Sequence, residues 1–225
     1  MSDAVFNLDQ TIQTRRSVRG FFSDRPVPPD VLHEALDLAR WSPSNCNVQP
    51  WEVFIASGKT RDQLRDALKN AVLSGQAPDP TTPIDTFDGE HRRRQIACAV
   101  EMYGKMGIAR DDSTGRLRAH LRNFEFFDAP HIAVVCMKKS FGIGVALDVG
   151  MWVQTLMLAL WARGVGCCAQ ASLRLYPTII KERLGIGDDL EILCGISFGY
   201  EDPSVPANQA RQPREPLSAQ IHFRD

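Results

Sequence analysis

The stretch VGMWVQTLMLALWA, Val149 to Ala162, restricts the possible folds more than any other part of the chain. Read as a helix it carries Met151, Trp152, Val153, Leu156, Met157, Leu158, Leu160 and Trp161, apolar nearly all round, so it must be covered on every side. The run is 14 residues long, is interrupted by Gln154 and lies between Asp148 and Arg163. That is shorter than a membrane span needs, which makes it a core helix. The core of a single chain could supply the cover, and so could an obligate interface through the chain's middle.

At 225 residues the chain is long enough to bury a sizeable core within one domain. Lys and Arg number 26 against 27 Asp and Glu, so no overall basic field exists to attract nucleic acid or an anionic membrane. The opening residues, MSDAVFNLDQ, have neither the basic nor the apolar region of a signal peptide, and a cytoplasmic location is expected. The six cysteines are scattered without a CxxC, and the five histidines show no metal-ligand spacing. Reduced buried thiols and no metal site are expected.

Along the chain, helices alternate with about four short strands. Asn7 and Gln10 predict an N-cap for a short helix with Leu8 and Ile12 on one face. Pro29 opens a second helix striped by Val31, Leu32, Ala35, Leu36 and Ala39. WEVFIAS reads as a strand, and KTRDQLRDALKNAVL as a helix started by a Thr60/Gln63 capping box. Residues 74–89, with Pro78, Pro80 and Pro83, read as a long loop before the helical stretch EHRRRQIACAVEMYGKMG. Such an excursion, about 75–125 in all, suits a lid or binding wall. APHIAVVCM and LEILCGISFGY are apolar throughout, as for strands covered on both faces; QIHF near the end is a further candidate strand. The pattern is that of an α+β or α/β domain.

Three motifs compete for a functional reading. FGIGVALD sits where a dinucleotide fingerprint would, but Leu147 stands in place of the third glycine, leaving a tight turn into the core helix. GISFG matches a nucleophile elbow, yet YEDPSVP follows it where a helix belongs, so a hydrolase using Ser197 is the weaker alternative. Cys167 and Cys168 have no neighbouring His or Lys to activate a thiol and read as small core residues.

The chemistry gathers in three basic or amide-bearing segments. TRRSVRGF places Arg15, Arg16 and Arg19 around Ser17. Alone, those arginines fit either a helix C-terminus or an anion site. SPSNCNVQPW offers Pro43, Ser44, Asn45 and Asn47 on a stiff loop, and NQARQPREPL adds Arg211 and Arg214 in a proline-rich tail. With RGVGCCAQAS after the core helix, these motifs in this order make the whole chain resemble the FMN-dependent nitroreductase family.

The resemblance implies an α+β nitroreductase-like fold over residues 1–225, with a central mixed, mostly antiparallel sheet flanked by helices, in an intertwined homodimer. It implies two FMN sites at the dimer interface. Arg15, Arg16 and Ser17 would face the phosphate and ribityl side, and Arg19 the pyrimidine edge. Pro43, Ser44, Asn45 and Asn47 would come from the partner subunit, and Arg211 and Arg214 would close on the phosphate. A backbone N–H at Gln170 or Ala171 would meet flavin N5. The family's acidic residue and glycine are replaced there, which leaves the donor open. Tyr103 and Phe124 would contact the substrate, with Met106, Phe126 and Phe127 nearby. The activity implied is ping-pong hydride transfer from NADH or NADPH, through flavin N5, to a nitroaromatic or quinone-like acceptor, without a side-chain catalyst. Dehalogenation, enone reduction, ring fragmentation and binding without reduction are the alternatives on the same fold.

Overall fold

The structure, a computed structural model, describes residues 8–224. The proposed Asn7 cap therefore lies outside the described residues. A four-stranded sheet forms in the order β1 (Glu52–Ser57), β2 (His131–Lys138), β4 (Leu190–Gly199), β3 (Gly166–Gln170), antiparallel at every pairing. The mixed character expected of the sheet reduces, among the described residues, to one parallel bridge between Ser17 and Cys167.

Alternation along β2 explains why that strand is apolar throughout. Ile132, Val134 and Cys136 face one layer, with Leu64 and Leu68 of α3 (Gly58–Leu73) and Ile180 of α7 (Pro177–Leu184). Ala133, Val135 and Met137 face the other, with Ala35 and Ala39 of α2 (Pro29–Ala39) and Trp152, Leu156 and Leu160 of α6 (Ile143–Trp161). Burying both faces of the strand from Ile132 to Met137 favours apolar side chains throughout that run. The remaining helices are α1 (Leu8–Thr14), α4 (Gly89–Lys105) and α5 (Ser113–Leu121).

Four expectations need correction. The fourth strand is Gly166–Gln170; QIHF forms no strand, because among the described residues the tail after Ala219 pairs with no strand. The Thr60/Gln63 box is absent: α3 starts earlier, at Gly58, which at φ 53° takes the left-handed conformation glycine tolerates. The Ser57 hydroxyl before it bonds His131 rather than capping. The core helix is also longer than its apolar run, 19 residues from Ile143, and so long and apolar enough to span a membrane by length and composition. Finally, α6 is not covered on every side within one chain. Val149, Trp152, Leu156 and Leu160 are buried, while Ile143, Leu147 and Gln154 form an exposed outer stripe.

His131 joins three elements. Its Nε2 accepts the Val27 N–H at 2.9 Å, which requires a neutral ring, so Nδ1 carries the proton toward Ser57 Oγ at 2.5 Å. The ring stacks on Phe198 at 5.0 Å. Burial, reinforced by the nearby Arg61 charge, holds its pKa below the ordinary value of 6.5. The unfolded chain thus takes up this proton first, so stability falls as pH drops below about 6.5 and keeps falling to the folded-state pKa. Thermal unfolding between pH 7.5 and 5.5 checks this. The His131→Gln variant should show a flatter dependence on pH than the wild type, and identical slopes would contradict the role given to this ring.

Candidate active site

Two adjoining cavities meet at Arg19. The first, about 650 Å³, is lined by Arg15, Arg16, Ser17 and Arg19 from the segment after α1 and by Arg211, Gln212 and Arg214 from the tail. Segments almost 200 residues apart are held together by backbone and by one side chain. Val18 N–H bonds Cys167 O at 3.0 Å, laying the arginine segment along β3. Gly166 permits this approach, since a Cβ there would lie 2.8 Å from Val18 Cγ2. Asn208, buried, accepts the Arg19 N–H at 2.6 Å and donates to Gly20 O at 2.9 Å and Asp202 O at 2.8 Å. Sequence reasoning missed Asn208; its only signal is that it opens the NQARQPREPL segment.

The electrostatics are one-sided. No acidic residue lines this cavity, and among the described residues Arg15, Arg19, Arg211 and Arg214 form no ion pair. Arg211 and Arg214 donate to backbone carbonyls. Arg16 pairs with Glu201 and lies over the Trp161 ring at 5.0 Å. Nε of Arg15 and of Arg16 are buried without any hydrogen-bond partner. Clustered guanidinium groups repel one another, and buried unpaired donors are costly. An anion with several acceptor oxygens removes both penalties. A phosphate group fits this donor set.

The second cavity, about 660 Å³, is more apolar. Its walls are Cys98, Ala99 and Met102 of α4, then Met106 and Ile108, then Ala119 of α5, with Phe127 and Val205–Ala207 opposite. Residues of the excursion line this cavity, Met106 and Phe127 among those expected, whereas Tyr103, Phe124 and Phe126 do not. Phe124 is fully buried, packed edge-on against Tyr176 and His120, and lines neither cavity. It is a core residue, because the turn after α5 points it inward. Tyr103 lies beneath Arg116 instead of facing the cavity, which Met102 and Met106 of its own helical turns do. Phe127 is the aromatic that lines the space. It stands in a left-handed run, Phe126, Phe127 and Asp128 at φ 56°, 55° and 67°, which costs about 1 kcal/mol or more per residue. The run is held by the Arg122 fork on Asp128, at 2.7 and 2.9 Å, and by Phe21 N–H on Phe127 O at 3.1 Å.

The Pro43–Asn47 loop reaches neither cavity of its own chain. It is exposed, anchored by Asn45 N–H on Asp148 at 3.0 Å and by Ser44 Oγ accepting from Gln49 N at 3.0 Å. Cys46 and Asn47 hold left-handed φ of 49° and 56°. A built, strained and outward-facing loop suits the partner-facing role assigned to it. At the end of β3 the Gln170 side chain is fully engaged, donating to Asn123 O at 2.7 Å and accepting from Ser197 Oγ. Ala171, the next residue, is exposed.

The elbow reading fails on geometry. Ser197 is fully buried in the middle of a paired strand, its hydroxyl committed to Gln170, so it cannot meet a substrate. Burial pushes the Cys167 thiol up to about 12 and also raises Cys168, so neither is a nucleophile at neutral pH. Among the described residues no group of three or more potential metal ligands converges.

Residues 12–200 match the model of the nitroreductase family. The chain belongs to that family. A nitroreductase from Pseudomonas putida described as 4-nitrobenzoate reductase is 34% identical over 96% of this chain and 95% of its own length. Among solved structures, the FMN-dependent nitroreductase NfnB of Mycobacterium smegmatis, in complex with NADPH, superposes with a TM-score of 0.92 at 34% identity, covering 96% of this chain and 97% of that one. The FMN and NADPH-dependent NfnB from sphigopyxis sp. strain HMH gives 0.90 at 30% identity, over 96% and 98%. The α+β nitroreductase architecture read from the motifs is therefore the fold of this chain.

Proposed function

We propose that this nitroreductase binds FMN and uses NADPH or NADH to reduce nitroaromatic and quinone-like acceptors, as a homodimer with each flavin between two subunits. The observation that carries the reading is the arginine cavity with two orphaned buried Nε donors and no lining carboxylate. Bound FMN supplies the acceptance of hydride from the nicotinamide and its delivery to the acceptor.

The chain's own residues do the rest. Arg15, Arg16, Arg211 and Arg214 hold the phosphate, with Ser17 at its side. Arg19, its backbone pinned by Asn208, fixes a positive charge at the pyrimidine edge, which favours uptake of negative charge by the ring. The exposed backbone at Ala171 stands at the N5 edge, since the Gln170 side chain is engaged elsewhere. The partner's Pro43–Asn47 loop covers the ring. The apolar cavity excludes water and receives nicotinamide and acceptor in turn, which makes the kinetics ping-pong. The same reading places the protein in the cytoplasm, where reduced nicotinamides and free thiols coexist; all six cysteines are unpaired.

Reconstitution with FMN and with riboflavin tests the central contact. FMN should give a yellow protein that oxidises NADPH when nitrobenzene is added, with parallel double-reciprocal lines, while riboflavin should bind far more weakly. Equal binding of the two flavins would contradict the assignment of the arginine cavity.

A further inference from the structure

The apolar cavity carries an unbalanced charge. Its carboxylate, Asp112, is engaged as the N-cap of α5 and accepts Gly115 N–H at 2.8 Å. Arg122 is neutralised by Asp128 and by Glu125 at 3.2 Å. Arg19 belongs to the junction with the phosphate cavity. Arg118, in the last turn of α5, also lines the space, yet among the described residues its side chain has no ion pair and no hydrogen bond. Other arginines of α4 and α5 have found partners: Arg116 lies 5.7 Å over the Tyr103 ring, Arg93 pairs with Glu90, and Arg94 with Glu215.

We propose that Arg118 is a specificity-determining residue that selects acceptors bearing a carboxylate on the nitroaromatic ring. The proposal rests on the nitroarene reading above. Met102, Met106 and Phe127 offer an apolar berth for a flat ring, and the Arg118 guanidinium lining the same cavity offers a fork for a carboxylate on that ring. A neutral acceptor would leave that cation unpaired within the cavity. An anionic one gains a charge-assisted contact that the solvent-exposed position of Arg118 weakens but does not remove.

The test compares 4-nitrobenzoate with its neutral methyl ester on the FMN-loaded enzyme, for wild type, Arg118→Leu and Arg118→Lys. The acid-to-ester ratio of kcat/KM should fall about tenfold in Arg118→Leu, through KM, and recover in part in Arg118→Lys. Binding of 4-nitrobenzoate to the oxidised enzyme without nicotinamide, read from the flavin absorption, should weaken by the same factor. In the wild type the ratio should decline as salt is raised. A ratio unmoved by Arg118→Leu, with the ester still reduced, overturns the proposal and leaves the nitroarene reading standing. A change in the NADPH-to-NADH preference instead would assign Arg118 to the nicotinamide's 2′-phosphate and overturn it equally. Failure of the wild type to reduce either compound overturns both.

Discussion

Replacing Leu147 with aspartate is expected to abolish the dimer and the bound flavin together. Ile143 and Leu147 are 91% and 68% exposed on the outer stripe of α6, although the opposite face of the same helix is sealed against the sheet. Leu8 and Ile12 of α1 are exposed as well, and so are Leu217 and Phe223 in the tail. Apolar surface on this scale fits the proposed dimer interface. Burying one leucine side chain contributes about 2 kcal/mol, and the twofold axis of a homodimer doubles every contact. A carboxylate in the same place must be desolvated twice over without a partner, so the dimer constant should weaken by about a thousandfold or more. The Asn45 anchor on Asp148 lies one residue away, which ties the loop proposed to cover the flavin to the same surface. Sedimentation and flavin content on one sample decide the matter. A monomer that keeps its full complement of flavin would contradict the shared site, while Leu147→Met should keep both dimer and colour.

Replacing Arg15 with methionine should reduce FMN affinity about a hundredfold, the effect of losing one charge-assisted donor from a partly buried anion site. Methionine preserves much of the apolar stem, so packing is spared and the loss reports on charge. Riboflavin binding in the same variant should not change, because it brings no phosphate to the site. Loss of both ligands in parallel would mean that Arg15 supports the fold. Arg16→Ala should also release FMN, by a compound route: it removes one cation and leaves the Glu201 carboxylate unpaired beside the anion. Arg15 is therefore the cleaner substitution.

Most of the residues proposed to face the cofactor stand out in the sequence because each lies in a short motif whose residue types suit one chemical task. Arginines around Ser17 and in the tail, and small polar groups on a proline-stiffened loop, read as donors wherever the chain places them. What resisted reading depends on tertiary partners. Gly166–Gln170 is built mostly from small residues and becomes a strand only by pairing with β4, whereas QIHF has the composition of a strand and, among the described residues, no strand beside it. Phe124 and Phe127 are three residues apart in one aromatic cluster. Both are buried in the same core cluster, but after the left-handed turn at Phe126–Asp128 only Phe127 also borders the cavity, and nothing in the local sequence demands that turn. Asn208 clamps the tail to the arginine segment through three hydrogen bonds to residues far away in sequence, or across a turn. The all-round apolar character of α6 was visible, but not that its own chain leaves Ile143, Leu147 and Gln154 exposed.

Complementation between two defective chains tests the shared site most directly. One chain carries Arg15→Met with Arg214→Met, and the other Ser44→Val with Asn47→Val; each alone should assemble without retaining flavin. If each site joins the arginines of one subunit to the loop of the other, co-expression creates heterodimers with one intact site, and about one FMN per heterodimer should return with nitroarene-dependent NADPH oxidation. Heterodimers that stay colourless, their assembly confirmed, would contradict a flavin held between two subunits.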